Sequence, residues 1–173
     1  MEATKYTISM LVEDKAGVLN RVASLFRRRG FNIQSLAVGG SEQPGLSRMT
    51  IVVLADPAQV EQVRKQLDKL INVVKIVDLT NDDMVARELA LVKVAATAST
   101  RSEIMQIVDI FRANIVDVGS DSLMVEVTGD EEKVNSLFEL LRRFGIKEVV
   151  RTGRVALTRG AVTVHASNKK KGG

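Results

Sequence analysis

The feature that most limits what this chain can fold into is an internal repeat. Leu19, Val22, Ala23 and Phe26 fall at i, i+3, i+4 and i+7, one face of a helix. Ile104, Ile107, Val108 and Phe111 repeat the same spacing 85 positions later. Each stripe sits inside the same order of patterns. Tyr6, Ile8, Met10 and Val12 alternate with polar neighbours, which suits a half-buried strand ahead of the first helix. Gly30 ends that helix, a strand follows over about 32–38, and the glycine-rich run 39–45 reads as a loop. Met49, Ile51 and Val53 give a third strand, and Asp56-Pro57 marks the start of a second helix striped by Val60, Val63, Leu67 and Leu70. A fourth strand runs over about 73–79.

The second copy opens with a strand over 89–96, and Thr100 or Ser102 can cap its first helix. Asn114-Ile115 echoes Asn32-Ile33 at the next strand start, and Gly119-Ser120-Asp121-Ser122 makes a tight hairpin. Leu123, Val125 and Val127 alternate; Asp130 caps a helix striped by Val134, Leu137, Phe138 and Leu141, which Gly145 ends. Residues 146–152 close the copy, and 153–158 add a possible edge strand. Each copy is therefore βαββαβ, an α+β arrangement of ferredoxin-like type in which two helices cover one face of a four-stranded antiparallel sheet. The expected division is 5–80, 84–160 and a disordered tail over 161–173 containing Lys169-Lys170-Lys171. Val52 and Leu54, with Leu89 and Leu91, make two strands apolar on both sides, which predicts that the uncovered face or an edge is buried by a partner. A homo-oligomer is expected, since units of this size have small cores.

The chemistry these 173 residues can carry is limited. There is no cysteine, which removes disulfides, thiolate metal sites and a cysteine nucleophile together. The one histidine, His165, lies in the tail, so no nucleophile–base pair of the usual kind can be assembled. Asp82-Asp83 and Glu131-Glu132 read as acids between elements or at a helix start rather than as a metal site. The glycines match neither a dinucleotide fingerprint nor a P-loop. Net charge is +4, but three of the positive charges are the tail lysines, and six aromatics without tryptophan offer little for base stacking. A nucleic-acid-binding βαββαβ module would need exposed aromatics on the central strands; only Tyr6 is placed there in the first copy. No apolar run is long enough to span a bilayer. Met1–Lys5 runs into the first strand without signal or transit character, so the expected location is a prokaryotic cytoplasm.

One junction looks built for a ligand. Asp14-Lys15-Ala16-Gly17-Val18-Leu19 turns the chain from strand into helix. Glycine there permits positive φ and a close approach to bare backbone. Unpaired amides at the positive end of the helix dipole can receive a carboxylate. Asp14 can accept from an ammonium group or cap the helix itself. The corresponding stretch of the second copy, Ala98-Ser99-Thr100-Arg101, has no glycine.

The segment Glu13–Leu19, the run Arg29-Gly30-Phe31-Asn32-Ile33-Gln34-Ser35-Leu36 and the run Leu46-Ser47-Arg48-Met49-Thr50-Ile51 together resemble an ACT domain. More specifically they resemble the regulatory, or small, subunits of acetohydroxyacid (acetolactate) synthase; Arg87–Val94 is similar to the same family. The resemblance covers about residues 5–160. It implies a non-catalytic subunit that activates a large catalytic subunit in branched-chain amino-acid biosynthesis and mediates feedback inhibition by valine. It implies a dimer of ACT units joined edge to edge, with the amino acid bound between subunits. Asp14, Lys15, Ala16, Gly17, Val18 and Leu19 of one chain would cradle the effector's main-chain groups. Asn32 and Ile33 of the neighbour would complete the site, by a hydrogen bond and an aliphatic contact respectively. Some family members carry Asn where this chain has Asp14. No cofactor is implied in this chain; thiamine diphosphate, Mg2+ and FAD are expected in the large subunit. A stand-alone amino-acid sensor of the same fold acting on another enzyme is the alternative.

Overall fold

The computed structural model of the chain describes residues 4–160. The expected tail over 161–173, with His165 and the lysine run, lies outside the described residues. In chain order the elements are β1 (Thr4–Glu13), α1 (Val18–Arg28), β2 (Ile33–Gly40), β3 (Leu46–Ala55), α2 (Pro57–Leu67) and β4 (Val73–Asp78), then β5 (Met84–Ala95), α3 (Arg101–Ile110), β6 (Asn114–Val118), β7 (Ser122–Gly129), α4 (Glu131–Arg142), β8 (Ile146–Arg151) and β9 (Val155–Thr158). The first sheet has the order β2-β3-β1-β4 and the second β6-β7-β5-β8, with β9 pairing β5 off that path. The described ladders are antiparallel. This is the ferredoxin-like βαββαβ arrangement twice, an α+β fold.

In the first sheet, Ile8, Met10 and Val12 of β1 and Met49, Ile51 and Val53 of β3 point to one face and pack with α1 and α2 into a single core. Tyr6 packs against that core as well, so it is not displayed on the opposite face, and the platform a single-stranded nucleic acid would stack on is missing. The stripe of α1 is turned slightly from the expected one: Val18, Val22, Leu25 and Phe26 are buried, while Leu19 is 43% exposed. Both sets satisfy helical spacing, and only the position of the sheet chooses between them. α2 starts as its residues dictate. The Asp56 carboxylate accepts from the Gln59 amide at 2.8 Å and the Gln59 side chain accepts from the Asp56 amide at 3.1 Å, with Pro57 at the first helical position. In the second sheet, Ala90, Val92 and Val94 of β5 and Leu123, Val125 and Val127 of β7 pack with Ile104, Leu137 and Leu141 in the same manner.

Two boundaries differ from expectation. Gly39 and Gly40 belong to β2 rather than to the loop, paired with Arg48 and Ser47; an edge strand tolerates the absent side chains. β5 starts at Met84 rather than near 89. The charged pair Arg87-Glu88 breaks the apolar pattern, but Glu88 is only 8% exposed and is ion-paired to Arg151 on the neighbouring β8. The chain divides into two compact units, with 86–154 forming the second and the other described residues the first. Val52 is already buried in the single chain along with Thr7, Leu11 and Thr50, whereas Leu54 is 43% exposed. No described helix is long and apolar enough to cross a membrane.

Candidate functional site

β1 ends at Glu13, and α1 begins five residues later at Val18. The reversal is made at Gly17, which occupies the N-cap position of α1 with φ 84° and ψ −8°, in the left-handed region. No side chain caps α1 and its first turn holds no acid. Of the two roles open to Asp14, capping is therefore not the one in use. The amide of Val18 donates to the Lys15 carbonyl at a long 3.3 Å, and the Arg21 amide donates to the Gly17 carbonyl at 3.0 Å. Between them, the amides of Leu19 and Asn20 have no backbone acceptor among the described residues. They are the free donors of a helix start, directed along the positive end of its dipole. A side chain added at Gly17 would meet nothing within 4 Å. The turn is thus an open notch with bare donors, and Asp14, Lys15, Ala16 and Leu19 around it are exposed. Val18 differs, since its side chain is only 4% exposed and belongs to the core, leaving just its backbone at the turn.

Residues not singled out from sequence hold this notch in place. The Asp14 amide donates to the Gly45 carbonyl at 2.8 Å and the Glu13 amide to the Asn72 carbonyl at 2.9 Å. The Asn72 side chain bridges Glu13 and Arg21. Lys15 Nζ lies 3.2 Å from Glu13 Oε2. Gly45 and Asn72 are separated from the turn by tens of residues, and no local pattern announces contacts of that range.

Asn32 and Ile33 are elsewhere. α1 has 11 residues, about 16 Å at the helical rise, and they follow its far end. Asn32 is exposed, whereas Ile33 is half-buried against the core. Together with Ala23, Phe31 and Arg27 they line a shallow concavity of about 410 Å³. One chain therefore brings together Asp14–Leu19 and, separately, Asn32 and Ile33, but not the two groups. A single amino acid can touch both only if the second group comes from another copy.

Two of the four acids weighed above, Asp83 and Glu131, are held in ion pairs. Asp83 lies 3.0 Å from Arg159 and Glu131 lies 2.6 Å from Arg154. The junction of the second unit differs from that of the first. Thr97, Ser99 and Thr100 bond to one another through their hydroxyls. Arg101 Nη2 donates to the carbonyls of Gly119 and Ser120 at 2.6 and 2.7 Å.

A βαββαβ unit whose strand–helix turn is made by a left-handed glycine, followed by a second unit of the same topology without that glycine, defines a tandem ACT-type protein. Comparison with known proteins narrows the class. A family model described as the AHAS small subunit-like ACT domain matches residues 8–75, and one described as the small subunit of acetolactate synthase matches residues 87–160. The chain is 56% identical over 155 residues to an acetolactate synthase small subunit of Mycolicibacterium smegmatis, covering 90% of this chain and 91% of that protein. It is 57% identical over 156 residues to a probable acetolactate synthase small subunit of Archaeoglobus fulgidus, covering 90% and 98%. Among solved structures, the acetolactate synthase small subunit from Thermotoga maritima superposes with a TM-score of 0.83 at 44% identity, over 92% of this chain and 99% of that one. The chain belongs to the acetolactate synthase small-subunit family.

Proposed function

We propose that this chain is a non-catalytic regulatory subunit. It binds the large, thiamine-diphosphate-dependent catalytic subunit of acetolactate synthase in the cytoplasm, raises its activity and makes it sensitive to a branched-chain amino acid, valine first. Thiamine diphosphate, Mg2+ and FAD belong to that large subunit. The observation that carries the effector reading is the notch at Gly17: a left-handed glycine, no side-chain cap, and helix-start amides without acceptors. These amides suit the carboxylate of an amino acid, and the uncommitted Asp14 carboxylate suits its ammonium group.

The distance from the notch to Asn32 supports a site shared between two copies. β2 is an edge strand, paired only with β3, and its Val38 is 46% exposed. A second chain added along β2 would satisfy that edge and bring Asn32 and Ile33 of one copy toward the turn of the other. Valine then acts by favouring one arrangement of the dimer. Differential affinity is required, because equal binding to both arrangements shifts nothing. A tenfold preference corresponds to about 1.4 kcal/mol, within the range of one hydrogen bond and a filled aliphatic contact. The test is the activity of the cognate large subunit with and without this chain, and with and without valine. Stimulation relieved by valine supports the reading; a chain that neither stimulates nor transmits inhibition defeats it.

A further inference from the structure

The notch has little packed around it, yet its geometry has to be held to within a fraction of an ångström if it is to orient a ligand. Asn72 provides most of the bracing. It ends the link between α2 and β4 and is only 9% exposed. Its carbonyl accepts from the Glu13 amide at 2.9 Å. Its Nδ2 donates to Glu13 Oε2 at 2.6 Å. Its Oδ1 accepts from Arg21 Nη1 at 2.5 Å. Glu13 is the last residue of β1, on one side of the turn, and Arg21 lies one helical turn into α1, on the other. One side chain therefore ties the strand end to the helix start across the bend at Gly17. The amide group suits this position because it has a donor for a carboxylate and an acceptor for a guanidinium on one planar unit.

We infer that Asn72 is a positioning residue for the effector turn: it fixes the angle between β1 and α1, and through it the direction of the free amides at Leu19 and Asn20. The inference rests on the effector reading above. It also places β4, which begins at the next residue, in mechanical contact with the ligand notch. The β1–β4 ladder shifts register between Leu11 and Val12, directly beside this clamp.

The test exchanges the two partners. Asn72→Asp keeps the acceptor for Arg21 but sets a carboxylate against that of Glu13. Asn72→Asp combined with Glu13→Gln restores a donor–acceptor pair with the polarity reversed. Valine binding to the full chain is measured by titration calorimetry, with a thermal melt of each protein alongside. The single variant is expected to bind about tenfold more weakly, and the double variant to return to within about threefold of the parent. A single variant that melts like the parent and binds equally well overturns the inference. So does a stable double variant that binds as weakly as the single one, because general loss of stability would not be corrected by reversing one bond. If the single variant fails to fold, the double variant alone decides. A parent chain that binds no branched-chain amino acid overturns the effector reading itself and Asn72's role with it; binding by the parent with no change in the variants removes only Asn72.

Discussion

Gly17 can serve the turn in two ways, and substitution separates them. Its φ of 84° is unfavourable for a residue with a Cβ, and a Cβ there would have nothing within 4 Å. The folding cost of Gly17→Ala is therefore backbone strain alone, about 1–2 kcal/mol, reduced by about 0.4–1 kcal/mol because alanine also restricts the unfolded chain. The net is about 1 kcal/mol, a shift of roughly 4–8 °C in the melting temperature of a unit this size. At Gly129, by contrast, a Cβ would stand 2.5 Å from Lys133 Cδ, so a steric term would add to the cost. Asparagine enters the left-handed region readily, so Gly17→Asn should unfold in urea close to the parent. Both variants nevertheless put atoms into the space in front of the free amides. Both should lose valine affinity to a similar extent, although only one loses stability. The assay pairs urea unfolding with calorimetric titration of the same protein. If Gly17→Asn binds valine like the parent, the glycine is needed only for its backbone angle and the ligand does not approach there. A loss of more than about 4 kcal/mol for Gly17→Ala would mean that the notch is not open as described.

Asn32→Ala should weaken valine binding while leaving the unfolding free energy in urea within about 0.5 kcal/mol of the parent, since the side chain is exposed. Glu88→Ala should destabilise the second unit by about 2 kcal/mol in urea unfolding, below the 3–5 kcal/mol of a fully buried pair, because the Arg151 side chain is 33% exposed and can rehydrate. The carboxyls of Glu148 and Asp121 are held below their ordinary values, mainly by hydrogen bonds from the ammonium groups of Lys93 and Lys147 and then by their charges. Lowered values mean stability that is present above the ordinary carboxylate range and lost as pH falls through the lowered values. Glu148→Gln with Asp121→Asn should therefore slightly flatten the acid side of the melting curve below about pH 5; an acid limb as steep as the parent's would refute it.

Much of this architecture was legible in local pattern. Asp56-Pro57 and Asp130 announce helix starts because their effect is confined to the next turn, and both carboxylates accept from the amides three residues on, Gln59 and Lys133. The strand faces followed from alternation. Less legible was anything decided by a distant neighbour. Leu19 and Leu25 compete for the buried face of α1, and the sheet buries Leu25. Glu88 looked like a break in a strand because its arginine partner is 63 residues away. Asn72 carries no signal at all, lying 59 residues from Glu13 and 51 from Arg21. The glycine turn was readable for the opposite reason, since glycine, helix start and strand end lie within six consecutive residues. Its completion by Asn32 and Ile33 follows from family resemblance alone.

The two copies differ at the junction where the effector reading places its ligand. Neither α1 nor α3 has a side-chain cap, so an uncapped helix start does not distinguish them. What differs is the approach. At the first junction the backbone turns through a left-handed glycine and leaves open space. At the second, the Thr97 amide is taken by Thr100 Oγ1 at 2.9 Å, the Arg101 amide by the Thr97 carbonyl at 3.1 Å, and Glu103 puts a negative charge in the first helical turn. An incoming carboxylate would have to face that charge, which the first turn of α1 lacks. Arg101, reaching the carbonyls of Gly119 and Ser120, fixes the hairpin to the junction and stiffens it. The same fold thus carries a glycine turn with open space in one copy and a turn braced by hydroxyls and an arginine in the other. With one glycine turn per chain and Asn32 and Ile33 beyond the far end of α1, the proposed dimer would hold two equivalent sites. Each such site would be complete only at the interface, so occupancy would bias how the copies are arranged.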